Sequence, residues 1–246
     1  MQHVIRLAGA VQTWAGYRAS HSTVRTLPLP TKSGVAGLLG ACLGVTDYLA
    51  LLDEFTMHLR VDRTNGVEED LQVAVPPPPG RAAQMWHRSV ALHEVTSTIR
   101  GGGKVKPYRV KEINLTGGTN KVQFSPHRTF LPHAEFLCIV SVRNGDLDER
   151  LRAGFRRPVF MPYLGRMANA PSFPFYLGFG SQGVRDLVEA IPHVAVGGRA
   201  ASASLRVYEA AGGHAAPRHR DWAHVTPPTA TERAEQLVWA KEHLIR

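Results

Sequence analysis

The stretch from Pro30 to Gly44 constrains this chain more than any other. Val35, Leu38, Leu39, Cys42 and Leu43 recur at helical spacing and make one apolar face. Thr31 or Ser33 can cap the start of that helix, and Gly44 can end it. Gly34, Gly37 and Gly40 fall in a row on an adjacent face. Glycine costs helix stability, so such a row predicts that something packs close against the helix.

The elements around it follow from periodicity. His3 to Leu7 reads as a strand. Phe55 to Val61 alternates, with Phe55, Met57, Leu59 and Val61 on the buried side and His58 and Arg60 opposite. Leu71 to Val75 is a further short strand, stopped by the stiff Pro76–Gly80 connector. Residues 81–128 are polar and glycine-rich without a sustained period, the signature of a long functional insertion or of disorder. Ala134 to Val142 reads as a strand and Asp146 to Phe155 as a helix. The four prolines between Pro158 and Gly178 mark a loop-rich segment. Arg185 to Ile191 is a short helix and Ser204 to Glu209 a strand. Thr229 with Glu232 has the pattern of a capping box opening an amphipathic terminal helix. The order is α+β and close to the ferredoxin-like βαββαβ arrangement.

Composition narrows the class. With 43% hydrophobic and 20% charged residues in 246, the chain is neither collagen-like, coiled-coil nor fully disordered. Two cysteines, Cys42 and Cys138, cannot make a disulfide scaffold or a four-thiolate zinc site. No apolar run approaches the roughly 18 residues that span a bilayer, and the first residues lack a signal-peptide layout. A cytoplasmic protein without membrane contact is expected. The formal net charge is +9. Residues 1–44 carry Arg6, Arg18, Arg25 and Lys32 and no acid. Residues 98–128 carry seven basic side chains against Glu112 alone, so these two stretches hold the entire excess. Basic charge confined in this way is the footprint of a polyanion site, although a solvated basic surface would look the same.

The chemistry available is limited. Thr31-Lys32-Ser33-Gly34 at a helix start makes a plausible phosphate seat, and an ordinary capped helix with a solvated lysine is the plainer reading. It is not a P-loop: the glycine five residues before the Gly-Lys pair is missing and Thr31 replaces the second glycine. ATP binding is therefore rejected. In Arg100–Lys111, basic residues alternate with flexible backbone, so phosphates can pair with Lys104, Lys106, Arg109 and Lys111 while Tyr108 stacks on a base. His214 and His219 lack the neighbouring ligands of a metal site, and no cofactor is expected. Tyr17, His21 and Lys32 have the groups of a metal-independent ribonuclease, but nothing in the sequence fixes their geometry. No serine nucleophile elbow, zinc-protease motif or RNP1 motif is present.

Several blocks then coincide in order. Leu7-Ala8-Gly9-Ala10-Val11-Gln12-Thr13-Trp14 is followed by Arg25 and by Pro30-Thr31-Lys32-Ser33-Gly34-Val35-Ala36-Gly37-Leu38-Leu39-Gly40-Ala41-Cys42-Leu43-Gly44. Later come His127-Arg128-Thr129-Phe130-Leu131-Pro132-His133-Ala134-Glu135-Phe136 and Pro162-Tyr163-Leu164-Gly165-Arg166. Together they resemble the CasD family of the CRISPR Cascade complex, the subunits that hold the 5′ handle of crRNA. The resemblance spans residues 5–166. The chain departs from the family at Met167-Ala168-Asn169-Ala170-Pro171, and in having His127, Thr129 and Phe130 where Trp, Glu and Tyr are usual.

The resemblance implies a RAMP-type ferredoxin-like domain over residues 1–178. Residues 86–130 would be a thumb insertion, and residues 179–246 a C-terminal portion with a terminal helix. It implies a non-catalytic RNA-binding subunit for antiviral defence. Thr31, Lys32, Ser33 and Gly34 would lie against the handle backbone. Lys104, Lys106, Arg109, Lys111 and Lys121 of the thumb would wrap the strand, with Tyr108 or Phe130 stacking. Arg25, Arg128, Tyr163 and Arg166 of the matched blocks complete the RNA-contacting set. Implied partners are the crRNA handle, the CasC backbone subunit, the CasA large subunit and, through the complex, target DNA read by guide pairing. Processing of precursor crRNA by a metal-independent endoribonuclease is the alternative, and outside the family a free-standing RNA chaperone.

Overall fold

A computed structural model of the chain describes residues 1–14, 23–71, 127–195, 204–210 and 219–245. All of them but Leu71 belong to one compact unit, Met1–Asp70 with His127–Arg246. Its main element is a six-stranded antiparallel sheet ordered β11-β10-β4-β7-β1-β8. The strands are β1 (Gln2–Ala8), β4 (Phe55–Arg63), β7 (Glu135–Val142), β8 (Tyr176–Gly180), β10 (Leu205–Ala210) and β11 (His219–Val225). β1 and β7 pair from Gln2↔Ser141 to Ala8↔Glu135, and β4 pairs with β7 from Phe55↔Val142 to Val61↔Phe136.

Helices cover both faces of this sheet. α1 (Lys32–Leu43) and α2 (Gly145–Arg156) lie on one side. Side chains of alternate strand positions, Ile5, Leu7, Met57, Leu59, Phe136 and Cys138, pack there with Leu38, Leu39 and Leu151. The opposite set, Val4, Leu137 and Ile139, packs with Leu187 of α3 (Val184–Ala190), Ala240 of α4 (Arg233–His243) and Leu244 just after α4. Burial on both sides explains why β7 reads as a nearly continuous apolar run. It also corrects the expectation for β4. His58 and Arg60 are buried, because α3 and the β10–β11 hairpin cover their side. Arg60 survives there by pairing with Asp62 (2.6 Å) and donating to the Val188 and Ile191 carbonyls (both 2.7 Å).

The row of glycines on α1 does permit close packing. A Cβ at Gly40 would lie 2.7 Å from Tyr48 Cβ, while one at Gly37 would make an unstrained contact with the Tyr48 ring at 3.8 Å. Tyr48 belongs to the 3₁₀ turn Tyr48–Asp53. α2 approaches α1 through its own glycine, since a Cβ at Gly154 would meet the Cys42 carbonyl at 3.0 Å.

A second, smaller sheet forms around β6 (His127–Pro132). β2 (Val11–Gln12) pairs with its end at Leu131 and Pro132, β3 (Thr23–Val24) runs parallel to its start, and β5 (Glu68–Leu71) also pairs with it. A two-residue parallel pair, β9 (His193–Val194) with β12 (Thr229–Ala230), ties the last segment down. Two local expectations change, at β8 and at the terminal cap, and one strand, β11, had no reading in the sequence. β8 lies in the final residues of the loop-rich segment. β11 has a polar pattern, HRDWAHV, because it is half-exposed at the sheet edge. The capping pattern shifts: Thr229 is in β12, and Glu235 accepts hydrogen bonds from the backbone and hydroxyl of Thr231 instead. No helix among the described residues is long and apolar enough to cross a membrane.

Candidate nucleic-acid interface

The start of α1 is built from the inside. Thr31 has extended backbone, and its Oγ1 accepts a hydrogen bond from Gly34 N (3.0 Å) and lies 3.3 Å from Ser33 Oγ. Gly34 is small because a Cβ there would press to 2.8 Å against the ring of buried Trp14. The Trp14 indole donates to Gln12 Oε1 (3.1 Å), and the buried Gln12 amide donates to the carbonyls of Leu7 (3.1 Å) and Ala134 (2.7 Å). The Trp14 N–H also donates to Thr26 Oγ1 (2.7 Å), and its carbonyl accepts from Leu27 N (3.0 Å), in the approach to the helix. The block Leu7–Trp14 therefore sets where α1 begins. Lys32 turns inward. It is 7% exposed, its ammonium sits 5.1 Å from the centre of the Phe55 ring, and burial lowers its pKa while Asp53 partly opposes the shift. It is not a solvated lysine.

The basic residues that the structure gathers lie around β6. Arg25 is exposed and directly follows β3, whose Val24 is the partner of Arg128 in the parallel pairing. Arg128 is half-buried, and its Nε has no hydrogen-bond partner among the described residues. Arg166 is near enough that the Arg128 charge, second to burial, lowers its pKa, with Asp70 opposing. Like charges brought together under partial burial cost energy unless an anion joins them.

Arg166 is held there by the Pro162–Arg166 block. Thr13 N donates to the Leu164 carbonyl (3.1 Å), and the Asn169 side chain donates to Thr13 Oγ1 (3.0 Å). Gly165 has φ +86° and approaches the Thr13 backbone so closely that a Cβ would overlap its carbonyl oxygen. Tyr163 is half-buried in the same turn, and Phe130 is half-buried in β6. Residues 127–130, the last of the expected thumb, are therefore strand β6. Lys104, Lys106, Tyr108, Arg109, Lys111 and Lys121 lie outside the described residues, as do Tyr17, His21 and His214. His219 donates from Nε2 to the Pro30 carbonyl (2.6 Å), so it holds the approach to α1.

Sequence reasoning missed one cluster. Buried Glu135 pairs with Arg233 (2.7 Å), Arg63 (3.5 Å) and Arg6 (3.6 Å). These residues come from β7, α4, β4 and β1, and no short-range pattern announces such a meeting.

Three comparisons bear on this arrangement. The family model of the CRISPR-associated protein (Cas_Cas5) family matches residues 4–235. The CRISPR system Cascade subunit CasD of Escherichia coli (strain K12) is 26% identical over 180 residues, covering 71% of this chain and 69% of that one. Among solved structures, a chain of a CRISPR RNA-guided surveillance complex superposes with TM-score 0.68 at 22% identity, covering 98% of this chain and all of the other. A crystal structure of a Cas protein gives TM-score 0.52 at 25% identity, over 93% of this chain and 95% of the other. The matched region contains α1, β6 and the Pro162–Arg166 turn, and the chain belongs to the CRISPR-associated protein (Cas_Cas5) family.

Proposed function

We propose that this chain is a non-catalytic RNA-binding subunit of a CRISPR Cascade surveillance complex, capping the 5′ handle of the crRNA. Its partners are the CasC backbone subunit and the CasA large subunit, and it meets target DNA only through the complex. Family membership and the similarity to a Cascade subunit support this reading. So does the order β1-α1-β4-β7-α2-β8 with its sheet running β8-β1-β7-β4, the arrangement expected of a ferredoxin-like RAMP domain. The observation that carries the RNA role is the approach of Arg128 in β6 to Arg166, with exposed Arg25 directly after the strand that pairs with β6. Phosphates of a single strand supply the counter-charge that Asp70 provides only in part.

The test is titration of fluorescently labelled handle RNA at several salt concentrations. Arg128→Ala weakens binding by about tenfold and reduces the salt slope by about one phosphate contact. Lys32→Ala, whose ammonium is turned inward, leaves the slope unchanged. An unchanged slope in Arg128→Ala removes the cluster from the RNA site. Cleavage of repeat RNA at one position in EDTA, lost in a His21 variant, replaces the proposal with endoribonuclease activity.

A further inference from the structure

Residues 158–174 form no strand or helix, yet their backbone is fixed along its length. Val159 N and Phe160 N donate to the last carbonyls of α1, at Cys42 (3.1 Å) and Ala41 (2.9 Å). The turn at Leu164–Asn169 is tied to Thr13, and Ser172 N donates to the Ala8 carbonyl (2.7 Å). Buried Arg6 then takes three successive carbonyls, Ser172 (3.2 Å), Phe173 (3.2 Å) and Pro174 (3.0 Å). A segment this well anchored has no need to leave large apolar side chains in water. It nevertheless exposes Phe173 at 91%, Met167 at 85% and Met161 at 73%, with Val159 and Phe160 more than half exposed. Scattered exposed apolar residues are ordinary; five in fifteen consecutive positions on a fixed backbone are not.

The composition of the segment indicates what covers it. Residues 158–174 contain no Asp, Glu or Lys, and their one charged side chain is Arg166. Aromatic residues, Met and Arg with few Lys, Glu and Asp are the composition of protein–protein interface cores. Val159, Met161 and Met167 offer nothing for a base to stack on, which sets this strip apart from a single-strand RNA platform. We infer that residues 158–174 are a protein-docking surface whose occupant is another subunit of the complex, presenting an apolar patch bordered by carboxylates. The carboxylates answer exposed Arg157, which borders the strip at its start. Because the backbone is already ordered, docking costs little conformational entropy. The inference rests on the chain being a complex subunit and says which surface it uses.

The experiment takes the full-length chain with its complex partners, each purified, and measures binding to each alone, together with handle RNA affinity and oligomeric state. The variants are Met161→Asp and Phe173→Asp, whose side chains are exposed and so leave the fold intact, as checked by thermal unfolding. The expected result is a loss of at least about tenfold in affinity for one partner, with handle affinity unchanged. Wild-type binding equalled by both variants overturns the docking surface alone. Lost RNA affinity with partner binding retained overturns it in favour of a nucleic-acid contact. A wild-type dimer that the variants dissociate makes a second copy the occupant and also overturns it. A wild-type chain that binds no partner overturns the complex-subunit reading, and this inference with it.

Discussion

The most instructive single residue is His3. It lies in β1 with its ring fully buried, its Nε2 3.0 Å from Asp148 and its Nδ1 sharing a hydrogen bond with Tyr176 (3.1 Å). Burial lowers its pKa to about 4, with Asp148 only partly offsetting the desolvation. The unfolded chain takes up a proton at about pH 6.5 that the folded chain refuses. Stability is thus full above that pH and falls as the pH drops towards 4, by a few kcal/mol in all. Urea unfolding at pH 7.5, 6, 5 and 4.5 measures this, and His3→Gln flattens the slope between pH 6.5 and 5. The sequence shows His3 opening a strand, but its burial requires α2 to bring Asp148 across, which no local pattern reveals.

Among the elements, α1 was the most legible. Its apolar face, its cap at Thr31 and its end at Gly44 (φ +71°) all follow from residue spacing. The purpose of its glycines was legible only in kind. Gly34 makes room for Trp14 and Gly40 for Tyr48, whereas a Cβ at Gly37 would make only ordinary contact with the Tyr48 ring, at 3.8 Å. Gly37→Ala therefore stabilises the protein by about 0.5–1 kcal/mol through helix propensity. Gly34→Ala destabilises it, because Trp14 is locked by Gln12 and cannot yield. Thermal unfolding of the two variants separates them by opposite shifts of the midpoint. β6 was legible as a block of residues and not as an element. Its pairing partners come from residues 11–12, 23–24 and 68–71, and a strand so dependent on distant segments leaves a weak period of its own.

At the scale of the whole molecule, Glu135 joins four elements through Arg6, Arg63 and Arg233. Glu135→Gln leaves three guanidiniums facing one another with no counter-charge, and costs about 3–5 kcal/mol in chemical denaturation. Added salt recovers part of that loss, since two of the three cations, Arg63 and Arg233, are half-open to water. By itself the sequence determined the alternating elements, the helix-start block and the location of the basic excess. Those are properties of neighbours along the chain: side-chain period, caps and local charge. Only the tertiary structure decided that Lys32 points inward, that Arg128 and Arg166 lie near each other, and that both faces of the sheet are covered. Each of these depends on contacts between residues tens to more than a hundred positions apart, whose burial and Coulomb terms exist only once the chain has folded.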